Sequence, residues 1–415
     1  MIYNIISIKL TERMRQKKCR RQVIKMDNFM YNTPAENTQQ NISGVPPINP
    51  QNPFENFTEY EDYNSDYSEI VPQIAIPGCQ IPFEPSKSER SRIRHFFNMT
   101  GLVILFHFLL TYIFAIGFDL LFRYITMNVD GVSGADATPQ YLRGLDIFFG
   151  NSSVSIGLTL LTFMICNLLA FFVGSKITKI KLSSYFKTTA LTFKTIMIYC
   201  MISFFIRYAG GFAGVIFQIF TGADMTGADV ILGYTDPKSI IITVLYTCIV
   251  APVTEELMYR GFVLKNLSRV SQRFGIIMSS LFFGLMHGNM SQFIFAFIMG
   301  IFLAHIDIKH NSIVPSIIVH AFSNIVSIAI SYSGVLDNLA LAAVCSLILI
   351  ALAILGFIMW IFFMKKNRLP FTMPHQKLRN GTAISSVLLL IPIVVYTFIT
   401  LLSSFPNLSL DALTG

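Results

Sequence analysis

Apolar blocks of about twenty residues alternate with short polar connections through most of the chain. Nine of these blocks lie near positions 101–125, 153–174, 194–220, 239–260, 274–290, 291–307, 313–333, 339–363 and 383–402. A helix needs about 20 apolar residues to cross the hydrocarbon core of a bilayer. The pattern therefore predicts an all-α fold, a polytopic transmembrane helical bundle of about eight or nine spans that encloses a membrane-embedded cavity.

The N-terminal region does not share this pattern. It is rich in Asn, Pro, Gln and Ser from Asn32 to Asn56 and acidic from Glu55 to Glu69. A segment with so few apolar residues cannot bury enough surface to offset the entropy lost on ordering. We therefore expect a disordered polar tail over residues 1–95, the transmembrane bundle over 96–403 and a short C-terminal tail over 404–415.

Charge is scarce in this chain and unevenly placed. The sequence is 53% hydrophobic and 13% charged, with a net charge of +8. We expect no nucleic-acid partner, because the basic residues lie in short patches between apolar blocks, beginning with Lys87 to Arg94 and recurring in every second connection. Lys and Arg accumulate in cytoplasmic connections. The pattern predicts a multi-pass protein of the cell membrane, embedded in the lipid bilayer, with its N-terminus in the cytoplasm.

The fourth apolar block contains two adjacent carboxylates, in the sequence V-A-P-V-T-E-E-L-M-Y-R-G-F at residues 250–262. Ionisable groups at membrane depth are costly unless they have partners and a function. Glu256 and Arg260 are four residues apart, so on a helix they form an ion pair on one face. Glu255 points about 100° away from that face and is predicted to remain available. The alternative is that both carboxylates pair with basic residues and only lock helices together.

Two later blocks each contain a histidine and a partner four residues away. The sequence F-G-L-M-H places Phe283 and His287 on one helical face, and H-A-F-S-N places His320 and Asn324 on one face of another helix. A single intramembrane histidine is more often an interhelical hydrogen-bonding group than a catalyst. Two histidines, an asparagine and an available glutamate in neighbouring blocks favour a shared site.

This set of side chains suits the activation of water in an apolar pocket. A carboxylate removed from water is a stronger base, an imidazole orients the water, and His and Asn side chains donate to a developing oxyanion. The reaction would be hydrolysis of an amide or an ester. Glu255, His287 and His320 are also acceptable ligands for Zn²⁺ or another divalent metal, which would activate water as well. The residues leave the metal-dependent and the metal-free mechanism equally open.

Three motifs, taken together, resemble a known family. The sequences E-E-L-M-Y-R-G-F at 255–262, F-G-L-M-H at 283–287 and H-A-F-S-N at 320–324 are similar, in this order, to the E-E-x-x-x-R, F-x-x-x-H and H-x-x-x-N motifs of the CPBP intramembrane proteases. This family is also called the CAAX-protease and bacteriocin-processing, or Abi, family. It includes the endopeptidases that remove the last three residues of a CAAX tail. The resemblance covers about residues 239–333, the expected catalytic core.

The resemblance implies a membrane-embedded hydrolase, an endopeptidase whose substrate is a peptide or protein, either prenylated or bacteriocin-like. The family is often labelled a metalloprotease family, yet a mechanism by glutamate and histidine without a metal is also proposed for it. Carried over to this chain, the motifs give catalytic roles to Glu255, His287, His320 and Asn324, and supporting roles to Glu256, Arg260 and Phe283.

Two other classes of function remain open from the sequence. A catalytically silent membrane scaffold, or a bacteriocin self-immunity factor, would keep the motifs for packing, although a scaffold does not need all four catalytic residue types at once. An ion-coupled transporter would use Glu255 and the histidines as a relay, although the chain shows none of the inverted repeats that many transporters have.

Overall fold

The computed structural model describes residues 87–129, 152–178, 191–223, 236–333, 339–367 and 374–405, together with residues 85, 180 and 186. Within these ranges the chain forms ten helices and no strand, so the prediction of an all-α polytopic bundle is confirmed. The expected disorder of the N-terminal tail concerns residues that lie almost entirely outside the described ranges. The same holds for the C-terminal tail.

The helices follow the nine predicted blocks, with one addition between the last two. In chain order they are α1 (Lys87–Val129), α2 (Ser152–Thr178), α3 (Phe193–Thr221), α4 (Pro237–Leu267), α5 (Gln272–Leu285), α6 (Met290–His310), α7 (Val314–Ser333), α8 (Leu339–Lys366), α9 (Pro374–Ile384) and α10 (Val387–Ser404). The addition is α9, which is short and too polar to produce an apolar block.

Seven of the described helices are long and apolar enough to cross a membrane: α1, α2, α3, α4, α6, α8 and α10. The sequence predicted eight or nine spans, and the two blocks that account for the difference are α5 and α7. Helix α5 has 14 residues, or about 21 Å, which is less than a hydrocarbon core of about 30 Å. Helix α7 is longer, with 20 residues, Val314–Ser333. The short helix α5 is the one that leads to the motif histidine His287, whereas His320 lies within α7.

The first helix begins earlier than the sequence predicted. Helix α1 starts at Lys87, so residues 87–95, which we placed in the polar tail, are helical. Their pattern is amphipathic, because Ile93 and Phe97 are buried four residues apart while Arg92 and Arg94 are exposed. A helix can begin among charged residues when one face packs in this way.

Helix α4 lies at the centre of the bundle. Every residue from 258 to 270 is buried, and α2, α5, α6 and α7 pack around the helix. The outer helices instead expose large apolar side chains, among them Ile113 on α1, Phe220 on α3, Leu347 on α8 and Val394 on α10. Apolar surface of this extent is covered by lipid in a membrane protein. The chain is therefore a multi-pass membrane protein, and the buried charged groups Glu255, Glu256 and Arg260 lie on its central helix α4.

Helices α1 and α10 approach each other closely at Gly101. A Cβ atom at this position would overlap the carbonyl oxygen of Leu388, whereas a Cβ atom at Gly117, on the same helix, would meet open space. The contact between these two helices therefore depends on the missing side chain at residue 101. Small residues serve this purpose where membrane helices pack closely.

We expect Gly101→Ala to lower the unfolding midpoint of the purified protein in detergent by several degrees, because overpacking costs about 1–3 kcal/mol. Gly117→Ala is the matched control and should leave the midpoint unchanged or raise it, because alanine is the better helix former. The measurement is loss of the monodisperse peak on gel filtration after heating. Equal midpoints for the two variants would show that α1 and α10 are not packed in this way.

Candidate active site

The helix that carries the two glutamates is irregular. Its π-helical turns, Tyr246–Val250 and Leu257–Leu264, lie on either side of the α-helical segment Ala251–Glu256. A π-helical turn contains about one more residue than an α-helical turn, which changes the direction of the side chains that follow, and such turns are frequent at functional sites. The direction of Glu255 and Glu256 is therefore set by irregular turns on both sides.

Pro252 explains the first of these turns. Within it, the backbone N–H of Ala251 donates to the carbonyl of Tyr246, five residues back. The next carbonyl, that of Thr247, would pair with residue 252, but proline has no N–H. The side-chain amide of Asn324 donates to this carbonyl instead, at 2.8 Å. Asn324 thereby joins α7 to the turn that precedes the glutamates.

Glu256 is fully buried between α4 and α7. Its Oε1 accepts a hydrogen bond from Nη1 of Arg260 at 3.1 Å and lies 2.8 Å from Nδ1 of His320. The side chains of Glu256 and Arg260 are 0% and 1% exposed. The predicted ion pair between residues four apart is confirmed, and it lies in the interior of the bundle.

Glu255 has different surroundings. Its Oε2 lies 3.9 Å from Nε2 of His320, and the residue is 8% exposed. Among the residues that the structure describes, no lysine or arginine lies within ion-pair distance of Glu255. As predicted, the arginine binds one glutamate and leaves the adjacent one without such a bond. His320 thus stands between two carboxyl groups, with a different ring nitrogen directed at each.

The ring of Phe283 packs against three other site residues. Its centroid is 5.6 Å from the ring of His287 and 5.7 Å from the ring of His320, both in edge contacts. The guanidinium carbon of Arg260 lies 4.1 Å from the same centroid, which is a cation–π contact. One buried aromatic ring therefore places groups from α4, α5 and α7 in a common environment.

His287 follows the end of α5 in a tight turn. Gly288 has a φ of 66°, a conformation that favours glycine. Asn289 caps the next helix and donates through Nδ2 to the carbonyl of His287 at 2.9 Å. Ser403 of α10 donates to the carbonyl of Gly288 at 2.5 Å. The half-buried imidazole of His287 is therefore held in place through its backbone.

The predicted site residues converge, with one difference for Asn324. Contacts among side chains connect Glu255, Glu256, Arg260, Phe283, His287 and His320. The side-chain amide of Asn324 donates to the backbone of Thr247, and within the described ranges no hydrogen bond joins it to the other site side chains. Its position on α7, one turn after His320, places it beside the site.

The three proposed metal ligands do not form a ligand cluster in this arrangement. In the part of the chain that the structure describes, no three His, Cys, Asp or Glu side chains converge closely enough to hold a metal ion. Zn²⁺ takes nitrogen and oxygen ligands at about 2.0–2.2 Å. The side chains of Glu255, His287 and His320 would have to move toward one another to accept such an ion.

Two residues of the site were not identified from the sequence. Asp307 on α6 is fully buried and interacts electrostatically with Glu256 and Arg260. A carboxylate in an apolar block was the signal that led to the glutamates, but Asp307 lies two residues before Lys309, where a charge close to the membrane surface needs no partner. Pro252 is the second residue that was not identified. Its signal in the sequence is general, because a proline within a helix leaves a carbonyl about one turn before it without its usual partner.

The fold and the site together define a class: a multi-pass helical membrane protein with an acid and histidine site inside the bundle. Residues 237–326 match the family model described as type II CAAX prenyl endopeptidase Rce1-like. The match covers 90 of the 415 residues, the part of the chain that contains the three motifs, and it supports the assignment to the CPBP, or CAAX-protease, family that those motifs suggested. The family that this segment matches is one of membrane-bound peptidases. Searches of curated proteins and of solved structures find no match to the chain.

The bond between Asn324 and Thr247 can be tested with a double-mutant cycle. Asn324→Ala should destabilise the protein by about 1 kcal/mol, because the carbonyl of Thr247 loses its donor. The same change should cost clearly less in a Pro252→Ala background, because the backbone of residue 252 then supplies an N–H to this carbonyl. The measurement is the unfolding midpoint of the four proteins. Equal costs in the two backgrounds would contradict the role assigned to Asn324.

Proposed function

We propose that this chain is an intramembrane endopeptidase in which Glu255 and His320 together activate a water molecule for attack on a peptide bond. One observation carries the proposal. His320 directs Nδ1 at Glu256 over 2.8 Å and Nε2 at Glu255 over 3.9 Å. The first distance is that of a direct hydrogen bond and the second is too long for one. This difference gives each glutamate a separate role.

The contact with Glu256 determines which nitrogen of His320 carries the proton. Because Glu256 is bound to Arg260, it is the ionised carboxyl, and an ionised carboxylate only accepts hydrogen bonds. Nδ1 of His320 therefore donates to it. In a neutral imidazole the lone pair is then on Nε2. This is the nitrogen that faces Glu255.

The distance between Glu255 and Nε2 suits a bridging water. At 3.9 Å the two atoms are too far apart for a direct hydrogen bond, but one water molecule can donate to both. Its oxygen lone pairs are then free to attack a carbonyl carbon. As the new C–O bond forms, a proton of the water passes to Glu255. Glu255 then protonates the leaving nitrogen, the C–N bond breaks and the carboxylate is restored.

The negative charge that develops on the substrate oxygen requires hydrogen-bond donors. We assign this role to His287 and to the amide of Asn324, because neutral donors fixed in a site without bulk water stabilise an oxyanion strongly. His287 packs on the same Phe283 ring as His320. Asn324 uses one amide hydrogen for the carbonyl of Thr247, which fixes the direction of the other.

We further propose that the end of the bundle where α1 begins faces the cytoplasm. Helices α2, α4, α6 and α8 end in or near basic residues, at Lys176, Lys265, Lys309 and Lys366. The ion pair between Arg379 and Glu89, with an N–O distance of 2.6 Å, joins α9 to the start of α1. These features support a common basic end, and basic ends are cytoplasmic. A substrate would then enter from the cytoplasmic side.

The substrate that we propose is a peptide or protein that enters the site within the bilayer. The family's name indicates a C-terminal prenylated peptide as the first class to test. A bacteriocin-like precursor without a lipid is the second. Both classes bring an apolar or membrane-bound segment to a site that is surrounded by lipid-facing helices.

Two adjacent variants with the same substitution test the separate roles of the glutamates. Glu255→Gln should abolish cleavage by the purified protein in lipid nanodiscs and leave its unfolding midpoint near that of the wild type, because the base is lost and the shape is kept. Glu256→Gln should lower the free energy of unfolding by about 3 kcal/mol, because Arg260 stays buried without a counter-charge. The measurements are cleavage of a panel of labelled peptides and thermal unfolding.

Two outcomes would contradict this assignment. Cleavage by the Glu255→Gln variant at the wild-type rate would show that another group is the base. Wild-type activity that a chelator removes and that Zn²⁺ restores would show that a metal ion activates the water.

A further inference from the structure

Asp307 belongs to the charged cluster around Glu256 and has no role in the mechanism above. It lies on α6 and is 0% exposed, as is Glu256. The backbone N–H of Ser316, at the start of α7, donates to its Oδ1 at 3.0 Å. Its Oδ2 has no hydrogen-bond partner in the described part of the chain, and the same is true of Oε2 of Glu256. Two fully buried carboxyl oxygens therefore remain unpaired in one cluster.

The hydroxyl group of Ser316 connects these two carboxyl groups. It interacts with the side chains of both Glu256 and Asp307. Its single proton is directed at the carbonyl of Ile313, over 2.9 Å. One hydroxyl hydrogen cannot serve this carbonyl and both carboxyl groups at the same time. The Ser316 hydroxyl therefore leaves at least one of the two unpaired carboxyl oxygens without a donor.

The count of charges indicates that a carboxyl group of this cluster is protonated. The ionisable groups that act on Asp307 are Glu256 and Arg260, and the wider cluster adds Glu255, His320 and, at the end of α5, His287. Arg260 is the one permanent cation among these groups, against three carboxyl groups. An unpaired charge in a dry interior is strongly unfavourable and is avoided by protonation. Arg260 binds Glu256, so the proton belongs on one of the other two carboxyl groups. Of these, Asp307 is 0% exposed and Glu255 is 8% exposed, so the proton belongs on Asp307.

We propose that Asp307 is a positioning residue that acts as a neutral carboxylic acid, whose Oδ2 hydrogen is donated to the unpaired Oε2 of Glu256. This bond would hold Glu256 in its ionised form with Oε1 directed at His320 Nδ1. It would also fix the tautomer in which Nε2 of His320 faces Glu255. The catalytic consequence rests on the proposed endopeptidase function, whereas the protonated state of Asp307 does not.

The test compares Asp307→Asn with Asp307→Ala in the full chain in lipid nanodiscs. Asparagine is the neutral isostere of a protonated aspartate, because it keeps an acceptor for the N–H of Ser316 and an N–H donor for Glu256. Asp307→Ala should lower kcat more than tenfold with little change in KM and should narrow the pH range of cleavage. Asp307→Asn should restore most of the lost kcat and the wild-type pH profile.

Infrared spectroscopy tests the protonated state without reference to activity. The difference spectrum of wild type minus Asp307→Asn at neutral pH should contain the C=O stretch of a protonated carboxyl group. A difference spectrum with only carboxylate bands would overturn the proposal, and so would a folded Asp307→Asn protein as inactive as Asp307→Ala. If the wild type cleaves no peptide, the proposed function fails, but the infrared result still decides the state of Asp307.

Discussion

The arrangement of the site depends on a single constraint, the need to compensate the buried charge of Glu256. A carboxylate without water requires a cation and hydrogen-bond donors, and these come from two helices. Arg260 follows one helical turn later on α4, and His320 reaches across from α7. Because His320 is held through Nδ1, its second nitrogen is directed at Glu255. In the mechanism that we propose, the pair of adjacent glutamates combines a structural charge with a base.

The short helix α5 and the irregular helix α4 contribute to the same arrangement. A hydrolytic site within a membrane must bring polar groups and water to a depth where the surroundings are apolar. Helix α5 ends after 14 residues, and the turn that follows places His287 against Phe283. In α4, the π-helical turns and Pro252 interrupt the regular helix on either side of the glutamates. The interruptions lie in protein, where Asn324 supplies a missing hydrogen bond.

Much of the fold and part of the site follow from the sequence. Apolar blocks of membrane length predict nine of the ten described helices, and the spacing of four residues predicts the ion pair between Glu256 and Arg260. The polar helix α9 produces no apolar block in the sequence. It is attached to α1 by the ion pair of Arg379 with Glu89, a contact between distant residues. The end of α5 was placed at residue 290 and lies at Leu285, since an apolar block does not reveal where a helix turns inside a bundle.

The contacts between helices are the part that the sequence does not predict. Residue spacing indicates that His320 and Asn324 share a face, but not that one binds Glu256 and the other binds the carbonyl of Thr247. These contacts depend on the relative position of α4 and α7, and no local pattern encodes that position. Asp307 is a similar case, because its partners are 51 positions earlier in the chain at Glu256 and nine positions later at Ser316.

The tautomer of His320 is the most direct measure of whether Glu256 prepares this histidine to act with Glu255. The measurement is nitrogen NMR of the protein with ¹⁵N-labelled histidine in lipid nanodiscs, with the His320 signals assigned by comparison with His320→Gln. We predict a neutral imidazole with its proton on Nδ1 and an unprotonated Nε2. A neutral imidazole with the proton on Nε2 would contradict the account, because the nitrogen that faces Glu255 would then have no lone pair to accept a hydrogen bond from the water.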